Sequence, residues 1–280
     1  MLNPVGSSES IGVYDSGVGG LSVLRALKTK LPGESFTYVA DCGHAPYGDR
    51  SPQFVESRAR EIAGFLKECG SKAMVIACNT ASVVAAHGLR DQFDLPIVAM
   101  EPAIKPAALL TRSKVVLVLA TSNTIRSPSV ARLCSAYAAD ARVILQACPG
   151  LADQVERSQF DHRVTRQLLE AYILPGLAEG ADTIVLGCTH YAFLADEIAR
   201  IAGPAVTIVE PSDAIASQLS RVIAPSPLPR GHAASTRFYT SGPTRQLAAF
   251  LESIGEPSGQ VHALPEVGAP HRPGTSQATN

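Results

Sequence analysis

The chain predicts an α/β fold of two pseudo-symmetric parallel-sheet domains, with helices on both faces and an active site in the cleft between them. Three observations predict it. Short β-branched runs alternate with longer amphipathic segments, the pattern of parallel strands covered by helices. That pattern starts again near residue 114. Two stretches, MVIACNTAS (74–82) and IVLGCTHYA (184–192), also match: an apolar strand, a small residue, a cysteine, then polar residues opening a helix.

In order, IGVYD (11–15) reads as a strand and 17–30 as a helix, with Leu21, Leu24 and Leu27 at near-helical spacing. SFTYVAD (35–41) is a strand. Residues 52–69 form a helix entered through Ser51 and Pro52, a cap and then a proline at the first turn. AMVIAC (73–78) has the continuous apolar character of a strand buried on both faces. A helix over about 80–93 and a strand PIVAM (96–100) follow. The second series is a strand KVVLVLAT (114–121), a helix 124–138, a strand ARVILQA (141–147), a helix 161–179, a strand DTIVLGC (182–188), a helix 190–202, a strand AVTIVE (205–210) and a helix 212–223. Residues 1–101 with 211–255 make the first domain and 102–210 the second. The Pro-, Gly- and Ser-rich stretch 256–280 is expected to be a disordered tail.

Composition narrows the function. The 280 residues carry 24 Lys and Arg against 25 Asp and Glu, a net charge of -1, so no basic footprint of a nucleic-acid binder is present. No apolar run approaches the ~18 residues of a membrane span. The first ten residues lack a secretory signal's basic and apolar regions. The expectation is a cytoplasmic protein bound to neither nucleic acid nor membrane. Six cysteines are scattered without a C-x-x-C pair, as free thiols rather than a disulfide framework or a zinc ribbon. His44, His87, His162, His232, His262 and His271 show no metal-ligand spacing, and no metal is expected.

Cys78 and Cys188 lie 110 residues apart, and the turns opening at Asp15 and Thr121 lie 106 apart. Two related units would explain both spacings and place both cysteines at the carboxyl ends of strands, where open parallel sheets bind ligands. A thiol ahead of a helix meets the positive end of the helix dipole, which is expected to lower its pKa. Two such thiols facing one cleft suit proton transfer at a carbon approached from both faces: one takes a proton, the other gives one, and the stereocentre inverts. Asp15 and His190 are placed to orient or activate a thiol or to join the proton relay. Ser16, Asn79, Thr80 and Thr189 offer donors at helix starts, which suit carboxylates. Thr121 and Thr124, on the twin turn, join the candidates. GVGGLS (17–22) lacks the third glycine of a dinucleotide fingerprint and the Lys of a P-loop, so its glycines are read as permitting a tight turn and close helix packing.

The blander readings are concrete. Cys69, Cys134 and Cys148 read as small buried hydrophobes, and Cys42 leans the same way. Cys78 alone would divide evenly between packing and chemistry; its twin at Cys188 decides. A hydrolase with one nucleophilic cysteine, or a silent binding module, competes with the two-thiol reading.

Taken together, IGVYDSGVGGLSVLRAL (11–27), APYGDRSP (45–52), ACNTAS (77–82), EP (101–102) and GCTHY (187–191), with weaker support from FYTSG (238–242), resemble the glutamate racemases, which are cofactor-independent amino-acid racemases. The resemblance covers roughly 11–223. It implies interconversion of L- and D-glutamate supplying D-glutamate for peptidoglycan, no cofactor, a small-molecule partner, and two α/β domains around the site, and it leaves a homodimer open. It implies that Cys78 deprotonates D-glutamate and Cys188 L-glutamate. By motif position, Asp15 and Ser16, Tyr47 and Gly48, Asn79 and Thr80, and Thr189 and His190 match substrate-binding pairs, and Glu156 an acidic residue near the site. Racemases of aspartate or hydantoins and maleate isomerases share the fold and remain alternatives. Two positions depart from the family pattern. Ala192 follows Tyr191 where proline is frequent, and Cys42-Gly43-His44 stand where a small residue and an arginine are more usual.

Overall fold

A computed structural model describes residues 9–137, 139–223, 234–256 and 259–265. The chain begins with β1 (Ser10–Asp15), α1 (Leu21–Lys30), β2 (Ser35–Ala40), α2 (Pro52–Glu68), β3 (Ser71–Ile76), α3 (Asn79–Gln92), β4 (Ile97–Ala99) and α4 (Ile104–Leu110). It continues with β5 (Val115–Ala120), α5 (Ser122–Ile125), α6 (Pro128–Ala136), β6 (Arg142–Ala147), α7 (Leu151–Glu156), α8 (Arg163–Ala178) and β7 (Thr183–Leu186). A 3-10 helix (Thr189–Leu194) leads into α9 (Ala195–Ala202), β8 (Thr207–Val209), α10 (Ser212–Val222), β9 (Thr236–Thr240), α11 (Thr244–Ser253) and β10 (Val261–Ala263).

Two sheets result. One runs β10-β9-β2-β1-β3-β4 and the other β6-β5-β7-β8, with every pairing parallel. The order β2-β1-β3-β4 is the same path as β6-β5-β7-β8, so the repeat read from the motif spacing is a repeat of topology. The central strands are buried because helices cover both faces: Ile11 and Val13 of β1 and Leu117 and Val118 of β5 are fully buried. The chain crosses between sheets after β4, at Glu101-Pro102, and returns after β8, at Glu210-Pro211.

Several elements differ from expectation. The first helix starts at Leu21 rather than residue 17, because the Asp15 carboxylate accepts from Gly17 N at 2.7 Å and holds residues 16–20 as a turn. The helix expected over 124–138 is two, α5 and α6. Ser127 caps the second through Val130 N, and Pro128 occupies its first turn, where proline is tolerated only at a new start. Both strands that carry the cysteines stop two residues early, so Cys78 and Cys188 are helix caps and not strand residues. The helix expected from 190 opens as six residues of 3-10 helix. The expectation of a disordered 256–280 is corrected at Val261–Ala263. β10 pairs with the open edge of β9, and Leu264 N donates to Thr240 O at 2.7 Å. Three residues among prolines and glycines carry too little alternation to announce a strand; the free edge of β9 recruits them. Residues 257–258 and 266–280 lie outside the described residues.

Candidate active site

Both cysteines cap helices at the facing ends of the two sheets. Cys78 follows β3, and its sulfur accepts from Ala81 N at 3.4 Å as the N-cap of α3. Cys188 follows β7, the equivalent strand, and opens the 3-10 helix. Both are nearly sealed from solvent, at 5% and 7% exposure. Burial, with the Asp15 carboxylate and Cys188 adding to it, pushes the Cys78 thiol up to about 12; the Ala81 N–H and the Ser16 hydroxyl pull it down but lose. The expected lowering by the helix start is therefore overturned for Cys78. A desolvated thiol beside an acid outweighs one backbone donor.

Asp15 ends β1 and is fully buried. Its Oδ1 accepts from Gly17 N at 2.7 Å and Ser16 Oγ at 3.2 Å; its Oδ2 accepts from Thr189 Oγ1 of the second unit at 2.9 Å. Burial raises its pKa to about 6, against the opposing pull of His190 and of the Gly17 and Thr189 donors. Ser16 also accepts from the Cys78 thiol at 3.5 Å. The glycines of 17–20 are explained by this crowding. A Cβ on Gly17 would overlap Glu156 Oε1, and one on Gly19 would overlap His190 Nδ1 and Thr189 Oγ1. The turn is bare so that the second unit's side chains can lie on it.

His190 is 2% exposed. Its Nδ1 sits 3.7 Å from Cys188 Sγ and its Nε2 2.6 Å from Glu156 Oε1. Burial alone would depress the imidazolium, but the bonds to Cys188 and Glu156 outweigh it and hold the ring well above its ordinary pKa. Glu156 Oε1 also accepts from Val18 N at 2.9 Å, so this carboxylate ties the second unit to the first unit's glycine turn.

The remaining candidates line the same cleft. Thr80 Oγ1 and Thr121 Oγ1 share a 2.8 Å hydrogen bond across it, and Thr124 Oγ1 joins them at 3.4 and 3.0 Å. Asn79 is 2% exposed, and neither its Oδ1 nor its Nδ2 has a hydrogen-bond partner. A buried amide left unpaired at a helix start beside a thiol marks a place for a polar ligand. Gly48 packs on Thr121, where a Cβ would come within 3.0 Å of Thr121 Cβ. Tyr47, buried, donates its hydroxyl to Asp41. All thirteen sequence-predicted residues thus gather at one junction of the two sheets.

Sequence reasoning missed the support beneath Tyr47. Asp41 follows β2 directly, donates its N to Asp15 O at 3.0 Å and is fully buried. It accepts from Arg58 Nε at 2.9 Å and Nη2 at 2.7 Å, as well as from Tyr47, and His44 Nδ1 lies 3.0 Å away. Burial would raise the Asp41 pKa, but the Arg58, Ser241 and Tyr47 hydrogen bonds hold it below the ordinary carboxylate range. Arg58, on α2, supplies a guanidinium to this carboxylate, with His44 at its edge. The signal was present in the aspartate that ends SFTYVAD, one residue past the β2 partner of Asp15.

A family model described as Asp/Glu/hydantoin racemase matches residues 11–219. A glutamate racemase of Pseudomonas entomophila (strain L48) is 47% identical over 260 residues, covering 92% of this chain and 98% of that protein. A solved glutamate racemase isoform from Bacillus anthracis superposes with a TM-score of 0.80 at 32% identity, covering 91% of this chain and 96% of the other. The Escherichia coli glutamate racemase, solved with L-glutamate and the activator UDP-MurNAc-Ala, gives 0.79 at 29%, covering 91% and 97%. The fold agrees with a racemase class, and the chain belongs to the Asp/Glu/hydantoin racemase family. Within that family it stands with the glutamate racemases.

Proposed function

We propose that the protein interconverts L- and D-glutamate by two-base proton transfer between Cys188 and Cys78, without a cofactor. The observation that carries this reading is the equivalence of the two thiols. Each caps the helix after the third strand of a repeated unit, and each has its own partner, Asp15 and Ser16 for Cys78 and His190 with Glu156 for Cys188. In the L-to-D direction, Cys188 takes the Cα proton. The Cys78 thiol, which burial keeps protonated, delivers its own to the opposite face. The reverse direction exchanges the roles. Ser16, Asn79, Thr80, Thr121, Thr124 and Thr189 supply donors to the substrate's carboxylates, and the Tyr47-Gly48 turn covers them. Provision of D-glutamate for peptidoglycan, in the cytoplasm, belongs to the same proposal. Among the described residues no helix is long and apolar enough to cross a membrane.

Incubation of the dialysed protein with L-glutamate in deuterated buffer tests the reaction. The Cα–H signal should fade as optical activity decays, with early deuterium mainly in the D-product. Equal early labelling of the remaining L-glutamate would point to a single base. No exchange with either glutamate enantiomer would remove the proposal.

Asp15 adds a pH dependence. As carboxylate it accepts from Thr189 and Gly17, so kcat/KM, which reports the free enzyme, should fall on the acid side with an apparent pKa of about 6. The stability effect has the opposite sign. An acid whose pKa rises on folding, here from 3.8, destabilises the native state progressively as pH climbs from there to about 6. Asp15→Asn should therefore abolish the acid limb and raise Tm above pH 6, an advantage that fades toward pH 4. An acid limb unchanged in this variant would assign it to another group.

A further inference from the structure

The two thiols, Asp15 and His190 are all buried, so a substrate reaches them only when the two units part at some seam. The cross-links along that seam include Thr189 to Asp15, Val18 to Glu156 and Thr80 to Thr121, all made by residues already placed in the reaction or in substrate binding. Asn123 makes a further one. It lies on α5, whose start is fixed by Thr121 accepting from Thr124 N. Its Nδ2 donates to Tyr47 O at 3.1 Å and to Arg50 O at 2.8 Å, and its backbone N donates to Gly48 O at 3.2 Å. Both side-chain hydrogens and the backbone hydrogen are committed to one short turn of the opposite unit.

That turn is bound to its own unit on its other side. Arg50 N closes it on Tyr47 O at 3.1 Å, and the Tyr47 hydroxyl is held by Asp41, itself gripped by Arg58. A groove runs along the outside of the junction, walled by Pro46, Gly48 and Asp49 on one side and by Thr121, Ser122 and Tyr191 on the other. The buried ionic side of the turn is the harder to break; the side held by three neutral hydrogen bonds at the groove is the weaker.

We propose that Asn123 is a positioning residue that clasps the Tyr47–Arg50 turn across the mouth of the cleft, and that the cleft opens where its hydrogen bonds break. The turn then travels with Asp41 and Arg58. The role in substrate entry rests on the racemase reading; the clasp itself does not.

Two variants and two readouts test it. Asn123→Ala removes the side-chain donors. Asn123→Asp keeps the size but sets an anion against two carbonyl oxygens. Each cysteine's alkylation by iodoacetamide is followed by peptide mass spectrometry, with the half-buried Cys134 as internal reference. Cys78 and Cys188 should react roughly tenfold faster relative to Cys134 in both variants, the factor that one to two lost hydrogen bonds give. KM for L- and D-glutamate should rise together, more in Asn123→Asp, while kcat changes less. Unchanged ratios for Cys78 and Cys188 in both variants would overturn the clasp. So would equal acceleration at all six cysteines, which would make Asn123 a support of the whole fold. The alkylation readout needs no turnover, so a wild-type protein inactive on glutamate would refute the proposed function and leave the clasp to be judged by the thiols.

Discussion

Serine in place of either Cys78 or Cys188 should lower kcat by about two to four orders of magnitude, the range that a positioned general acid or base contributes. A hydroxyl is too weak an acid to give up a proton on one face and too rarely ionised to take one on the other. The fold should not suffer. Serine is a good helix cap, so Ala81 N keeps an acceptor when Cys78 is replaced, and Cys188 makes no side-chain cap bond to lose. Circular dichroism and Tm should match the wild type. The residual chemistry is more telling than the loss. With Cys78→Ser, Cys188 still faces L-glutamate, so deuterium should enter L-glutamate slowly without inversion. Cys188→Ser should show the same with D-glutamate. Near-normal turnover in either variant would end the two-base mechanism. Exchange of both enantiomers in one variant would end the assignment of faces.

Removing Asp15 or His190 should cost about two orders of magnitude in kcat, unequally in the two directions. Asp15→Ala strips the acceptor from Gly17 N, on the Cys78 side of the cleft, and from Thr189 Oγ1, which reaches across from the second unit. His190→Ala strips Cys188 of its imidazolium and leaves Glu156 its hydrogen bond from Val18 N. His190→Ala should slow L-to-D turnover more, and Asp15→Ala D-to-L turnover more. The ratio kcat/KM must nevertheless fall equally both ways, because enantiomers have an equilibrium constant of unity and KM compensates. Initial rates from each pure enantiomer read both quantities. Equal losses of kcat in both directions would detach Asp15 and His190 from their separate thiols.

Some of this was legible in the chain because it is periodic or repeated. The apolar run of β3 read as a strand buried on both faces, and those of β1, β5 and β7 as strands. The matched ACNTAS and GCTHY stretches predicted two related units, which the shared path β2-β1-β3-β4 and β6-β5-β7-β8 displays. The pairing of Cys78 with Cys188 as candidates came from that repeat, since neither cysteine is distinctive alone. What failed was local. Ser127-Pro128 splits a helix because proline tolerates a start but not an interior, and β10 forms because an open strand edge lies beside it.

The sequence by itself determined the class of fold, the doubling, and which residues meet at the strand ends, because hydrophobic period and turn chemistry are local properties of the chain. Only the tertiary structure decided their electrostatic state and their supports. The Cys78 thiol is raised rather than lowered, since its burial depends on how closely two sheets meet and the Asp15 charge on the pairing of β1 with β3, and neither on the residues beside it in sequence. Arg58 on Asp41 and Asn123 on Tyr47 lie 17 and 76 residues from their partners, distances over which no periodicity in the chain reports.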